Sequence, residues 1–274
     1  MAALATIAPF GFDFDPARLL AAYRALGCTA CQFYRNEAKP PTVREALDAA
    51  AAGGLIFDSV HGVFGFDYDP SSPDPSERAR CLDVYEQEAE LCLQLGGNMV
   101  VVHPSKWTPE RRPLARAEAE AHAAQRYPLL DDFLERLAAV ADRVGVTFLI
   151  ENQPMNCYVG NDPAQLARHV IAAGSTRIRM CLDTGHAHIT GDVVEALNDA
   201  GPAISYLHMH DNDRTVDDHR MPGDGTIDWR GAASVIRRAL PRATRMLEIF
   251  YPVERVEALA AAGGGEKLRQ SVGM

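Results

Sequence analysis

The residues from 203 to 228, AISYLHMHDNDRTVDDHRMPGDGTID, concentrate more metal-ligand chemistry than any other stretch of the chain. A strand-like apolar run, Ala203 to Leu207, breaks into a polar loop in which His208 and His210 stand two residues apart. On a strand that spacing puts both imidazoles on one face. Asp217 and His219 repeat it, and Pro222, Gly223 and Gly225 close the loop before Asp228 caps a helix. Imidazoles and carboxylates placed this way between ordered elements suit a divalent cation. Spacing alone leaves open whether His208 or His210 is the ligand, and His210 can equally be a substrate contact or a support for the ligand.

Groups of the same kind end other apolar runs. His61 ends DSVHG, His103 follows VVV in VVVHP, Glu151 ends TFLIEN, Asp183 ends RMCLDTGH with His186 just beyond, and Glu248 ends RMLEIF. Each alone reads as a satisfied hydrogen-bonding residue. Converging without a cation, four carboxylates and five imidazoles would repel one another and lose hydration; one to three divalent ions turn that cost into binding. Carboxylate-rich coordination with several imidazoles points first to manganese or zinc, with magnesium, cobalt or iron as alternatives. His122 and His169 fall inside helical patterns and read as surface residues, while His188, two residues after His186, is undecided.

The elements that must position these groups are legible from their ends. Asp15-Pro16, Thr42 with Glu45, Asp74-Pro75 with Glu77, Asp162-Pro163 with Gln165, and Asp192 with Glu195 are helix starts, supplying an N-cap oxygen and often Pro at the first turn or a capping-box partner. Between them lie eight short runs with strand composition: Leu4 to Ala8, Cys28 to Tyr34, Leu55 to Val60, Asn98 to Val102, Val146 to Ile150, Arg177 to Leu182, Ile204 to Leu207, and Arg245 to Phe250. Pro128 is expected to divide the helical segment from Pro113 to Arg143 into two pieces. Strict β/α alternation requires a parallel sheet, and eight repeats in 274 residues predict one closed (β/α)8 TIM barrel from 1 to 274. In that fold the ends of the strands meet at one mouth.

Composition sets the outer bounds. Hydrophobic residues at 47% and charged residues at 23% are ordinary for a soluble globular chain, and no apolar run is long enough to span a membrane. The N-terminus, without a basic n-region, reads as a strand and not a signal peptide, which places the protein in the cytoplasm. Six cysteines form no framework, and Cys28-Thr-Ala-Cys31 reads as buried thiols. A net charge of -10, from 27 basic and 37 acidic side chains, argues against nucleic acid as the partner.

Taken together, ENQP, CLDTGHA, HMHDNDRTVDDHRMPGDGTIDW and LEIF resemble the xylose-isomerase-like TIM barrel superfamily, which includes sugar isomerases and epimerases, inosose and dehydroshikimate dehydratases, and endonuclease IV. The resemblance implies a shared metal site at Glu151, Asp183, His208 and Glu248. Endonuclease IV holds further metals through groups that match His61 and His103, sharing Glu151, and His186, Asp217 and His219; all are filled here. Two of that enzyme's motifs are replaced, by Gln153-Pro154-Met155-Asn156 and by Asp211-Asn212-Asp213, and the second glutamate of the ketose 3-epimerases is Cys157.

The expected function is therefore a metal-dependent isomerase, epimerase or dehydratase of a small sugar or polyol. Glu151 and Glu248 would exchange a proton through an enediolate. His186, Arg214 and Arg220, with His210, would orient hydroxyls or a phosphate. An endonuclease IV-like phosphodiesterase acting on abasic DNA is the alternative. A small carbohydrate-like molecule is the expected partner, no membrane is involved, and the pattern leaves room for a homo-oligomer.

Overall fold

The computed structural model of the chain describes residues 3–107, 116–154 and 159–274. Eight parallel strands close into a barrel, each pairing with its neighbours in the chain, and the last returns to the first. They are β1 (Leu4–Phe10), β2 (Ala30–Arg35), β3 (Ile56–His61), β4 (Met99–Val102), β5 (Thr147–Glu151), β6 (Ile178–Asp183), β7 (Ile204–Met209) and β8 (Thr244–Leu247). Every expected run contains a strand, although β8 stops at Leu247, short of the expected Phe250. The helices around them are α1 (Pro16–Ala25), α2 (Val43–Gly53), α3 (Pro75–Gln94), α4 (Arg116–Val144), α5 (Pro163–Ala172), α6 (Thr184–Thr190), α7 (Val193–Asp199), α8 (Trp229–Ala239), α9 (Val253–Ala261) and α10 (Gly264–Ser271).

The caps act as their residue types require. Asp15, Asp162 and Asp228 accept the backbone N–H three residues on, Asp74 accepts that of Ser76, and Thr42 and Glu45 form a reciprocal capping box. Glu77 departs from expectation by turning to Ser72 and Lys106. So does Pro128, which sits inside the continuous helix α4. A proline there forfeits a hydrogen bond and costs about 3 kcal/mol. Buried residues on both sides of it, including Ala123, Tyr127, Leu130, Phe133, Leu134 and Leu137, bind the two halves to the barrel as one face and offset that cost.

The two-residue period of the strands sorts the core into two clusters. Residues such as Phe33, Val60, Val100, Val102, Phe148, Ile150, Leu182 and Leu207 face the helices. Ala5, Ile7, Val101, Leu149, Cys181, Tyr206 and Met246 fill the barrel itself. Two residues beyond five of these interior side chains stand His103, Glu151, Asp183, His208 and Glu248, and His61 likewise follows buried Ser59. Alternation that fixes the apolar floor thus also aims the polar layer above it into the mouth. No helix among the described residues is long and apolar enough to cross a membrane.

Candidate functional site

The innermost group is Glu151, Asp183, His208 and Glu248, all buried, with one donor atom from each within 4.8 Å of every other. His208 Nδ1 lies 2.9 Å from Glu151 Oε1, 3.1 Å from Glu248 Oε2 and 4.0 Å from Asp183 Oδ2. Asp183 caps α6 by accepting the His186 backbone N–H at 2.7 Å, and its other oxygen is 3.0 Å from His210 Nε2. Asn152 brackets the Asp183 backbone, accepting its N–H at 2.7 Å and donating to its carbonyl at 3.0 Å. That support carries no sequence signal beyond its place beside Glu151.

Around this group the remaining predicted residues form two flanks. On one, His103 Nε2 and His61 Nε2 face Glu151 Oε2 at 3.0 and 3.6 Å. On the other, Asp217 Oδ2 lies 3.1 Å from His186 Nε2 and 3.3 Å from His219 Nε2. Three of these imidazoles have their other nitrogen fixed. Nδ1 donates to a backbone carbonyl in His61 (Gly62, 2.9 Å), His186 (Asn152, 2.8 Å) and His219 (Glu248, 2.9 Å). His219 reaches its carbonyl from a left-handed backbone, φ 45°, as does Arg214 beside it in the loop, φ 73°.

These hydrogen bonds test whether the residues suit a cation. A carbonyl only accepts, so Nδ1 of each ring carries a proton and a neutral ring turns the Nε2 lone pair toward a carboxylate. Two acceptors at such separations are tolerated only with a proton or a cation between them. Glu151 Oε2, fully buried, receives no well-directed hydrogen bond from the described residues. Three buried carboxylates around one imidazole are the hard-to-borderline donor set that divalent ions take, and the backbone contacts of the histidines are the usual outer support of such ligands. The donor set fits a divalent metal.

The electrostatics report the same demand for positive charge. Burial alone would raise the Glu151 carboxyl, but the imidazoles of His208 and His103 outweigh it and hold it well below the carboxylate range. Glu248 and Asp217 are lowered against burial in the same way, by His208 and by His186. Reciprocally, burial is overcome at His186 by Asp183 and Asp217, which raise it well above its ordinary value, and at His219 by Asp217 and Glu248, which bring it to about 9. At His103 burial wins and the imidazole is lowered.

Not every predicted residue reaches the mouth. His210 is fully buried behind Asp183, stacked on His219 with ring centroids 4.0 Å apart, so it supports the cluster from behind. Arg220 turns its guanidinium to Asp213 and Asp218 at 3.2 and 2.5 Å and does not line the cavity. Arg214 does line it, while donating to the Gly191 carbonyl at 2.8 Å. His188 hydrogen bonds Thr226 Oγ1, and His169 pairs with Asp131 away from the mouth. Cys28 and Cys31 are buried free thiols. Cys157, with Met155 and Asn156, lies outside the described residues.

Sequence reasoning missed the loop's own anchor and the walls of the cavity. Buried Asp211 accepts from Gly223 N, Ile227 N and Trp229 Nε1, at 3.0, 3.1 and 2.7 Å, and so shapes the loop that presents Asp217 and His219. Tyr34, Phe64, Trp107 and Phe250 line the mouth, but one stands on β2, the others on three separate connections, and they share no spacing.

Comparison with known proteins bears on the fold and the family. A probable endonuclease 4 of Thermoplasma acidophilum is 26% identical over 191 residues, 63% of this chain and 61% of that protein. The chain spans 56 to 61% of the length of the curated relatives it matches. Among solved structures, an L-ribulose 3-epimerase superposes with a TM-score of 0.76 at 20% identity, covering 99% of this chain and 96% of the other. The TTHB071 protein of Thermus thermophilus, soaked with zinc chloride, gives a TM-score of 0.67 at 25% identity, covering 96% and 98%. Residues 20–269 match the family described as xylose isomerase-like TIM barrel, and the chain belongs to that family.

Proposed function

We propose that this protein is a divalent-metal-dependent isomerase or epimerase, with dehydration as the related outcome, acting on a small polyhydroxylated carbonyl compound. The observation that carries this reading is the pair Glu151 and Glu248: two buried carboxylates, on β5 and just past β8, that approach His208 Nδ1 at 2.9 and 3.1 Å and both line the cavity. A cation held by Glu151, Asp183, His208 and Glu248 would supply Lewis acidity toward adjacent carbonyl and hydroxyl oxygens, making the C–H bond between them acidic. Glu151 is kept ionised by its imidazole neighbours and so can accept that proton. Glu248, also ionised, is placed to exchange a proton from the other side of the cluster. His186, fixed through Asn152, and Arg214 are placed to hold substrate oxygens. The fold shared with an L-ribulose 3-epimerase supports this reading.

The gathering of His61, His103, His186, Asp217 and His219 around the inner group favours a second reading, a phosphodiesterase in which clustered cations activate water. The relationship to a probable endonuclease 4 supports it. The net charge of -10 and the scarcity of cationic side chains among the described residues of the mouth place it second. The test is solvent exchange. The manganese-loaded protein, incubated with a panel of ketoses, inososes and sugar acids in deuterated water, should introduce deuterium at one carbon. Glu151→Gln and Glu248→Gln should each slow this by about 10²- to 10⁴-fold when compared at equal bound manganese, since both carboxylates would also be ligands. Incision of abasic DNA at physiological salt, abolished by the same substitutions and without C–H exchange on any substrate, would reverse the order.

A further inference from the structure

The cavity at the mouth, about 630 Å³, is divided in two. Its floor is the carboxylate and imidazole cluster. Its rim is apolar and largely aromatic, formed by Tyr34, Phe64, Phe66, Trp107, Val216 and Phe250. The two parts are in contact: Tyr34 meets His61 with ring centroids 5.4 Å apart, Phe64 meets His103 at 4.7 Å and Phe250 meets His219 at 4.9 Å. Farther out, Trp107 packs against both Phe64 and Phe66, at 5.3 and 5.7 Å. Its backbone N–H donates to the Gly65 carbonyl at 2.8 Å, tying the loops after β3 and β4 together.

Three of the rim side chains stay open to solvent: Phe66 is 51% exposed, Val216 57% and Phe250 37%. Apolar surface gathered beside a polar cleft marks what the cleft is meant to cover it with. A bare monosaccharide can satisfy the floor and leaves the outer rim wet. Charge at the rim is also informative. Arg214, the one guanidinium or ammonium among the described lining residues, already donates to a carbonyl, whereas Glu151, Asp217 and Glu248 line the same space. At the rim itself, away from any cation the cluster holds, a phosphate would find only Arg214 to pair with among the described lining residues.

Resting on the isomerase or epimerase reading, we propose that the substrate is a conjugate: an oxygen-rich, sugar-like head that meets the cluster, joined to a flat apolar or aromatic group that sits on Phe66, Trp107 and Phe250. The rim selects for that appendage and against a phosphate. Aromatic faces held by ring contacts lose little freedom on binding, so stacking adds affinity directly.

The test uses the manganese-loaded protein and calorimetry with three matched series: free hexoses and pentoses, their terminal O-(4-nitrophenyl) ethers, which leave the carbonyl free, and their terminal phosphates. At least one aryl ether should bind tenfold or more tightly than its free sugar, a gain of about 1.4 kcal/mol. Trp107→Ala and Phe66→Ala, each confirmed as folded by circular dichroism, should bring that ratio down toward one. No aryl preference anywhere in the series, a preference that both substitutions leave intact, or tighter binding of a phosphate overturns the proposal. So does a dimer that dissociates in either variant without ligand selectivity, because a second copy would then be what covers the rim. Aryl preference without C–H exchange on any substrate keeps the rim's role and overturns the isomerase reading alone.

Discussion

Asp58 offers a test of the barrel floor beneath the site. Its carboxylate accepts from Ser59 Oγ at 2.7 Å and from Tyr206 OH at 3.2 Å, and the Tyr206 ring packs edge-on against His208 with centroids 5.9 Å apart. Burial pushes this carboxyl up from 3.8 to about 6, against the lowering effect of the two hydroxyls. A group raised in the folded state contributes its full stability below the unfolded value and loses it as pH rises through the folded one. The loss therefore runs from about pH 4 to just above pH 6, and totals about 3 kcal/mol at about 1.4 kcal/mol per pH unit. Asp58→Asn keeps an acceptor for both hydroxyls and cannot ionise. Urea unfolding should show the variant gaining on the wild type by about 3 kcal/mol at pH 8, by roughly half that at pH 5, and by almost nothing below pH 4. A gap of constant size across that range, or a variant less stable at pH 8, would refute the assignment of burial as the dominant cause.

Three further outcomes follow from the cluster. Stripping divalent ions with a chelator should lower the melting temperature by about 5 °C, taking roughly 2.7 kcal/mol of linkage at a hundredfold excess over Kd, and manganese or zinc should restore it. If the outer flanks also hold ions, metal content exceeds one per chain and falls in Asp217→Ala; saturation at one ion with no effect of that substitution would leave the flanks without a metal role. Gly185→Ala would place a Cβ 1.9 Å from His210 Cε1, so His210 must move off Asp183. A cost of about 1–3 kcal/mol and weaker metal retention are expected from thermal melts and metal analysis, and a variant equal to wild type in both would contradict that packing.

The sequence by itself determined the barrel and which strand ends carry the polar layer, and for a common reason. Caps, strand composition and β/α alternation are local, and in a closed parallel barrel local order dictates global neighbours because each strand pairs with the next. A polar residue two positions beyond a buried interior residue, as Glu151 is beyond Leu149 or His208 beyond Tyr206, must then point into the mouth. The continuous helix through Pro128 escaped this logic, because packing along Tyr127 to Leu137 outweighs a local penalty.

Only the tertiary structure decided which groups of the polar loop face the mouth and which stand behind it. His208 and His210 are equivalent by spacing, yet His208, still within β7, meets Glu151 and Glu248, while His210, just past the strand, turns to Asp183. Arg214 and Arg220 are equivalent by composition, and the bridge between Asp211 and Arg220 separates them. The aromatic rim was likewise invisible in one dimension, because Tyr34 on β2 and Phe64, Trp107 and Phe250 on three connections have no common period. Side chains that meet only because a barrel closes leave no pattern along the chain, and the part of the site that would choose the substrate is made of such residues.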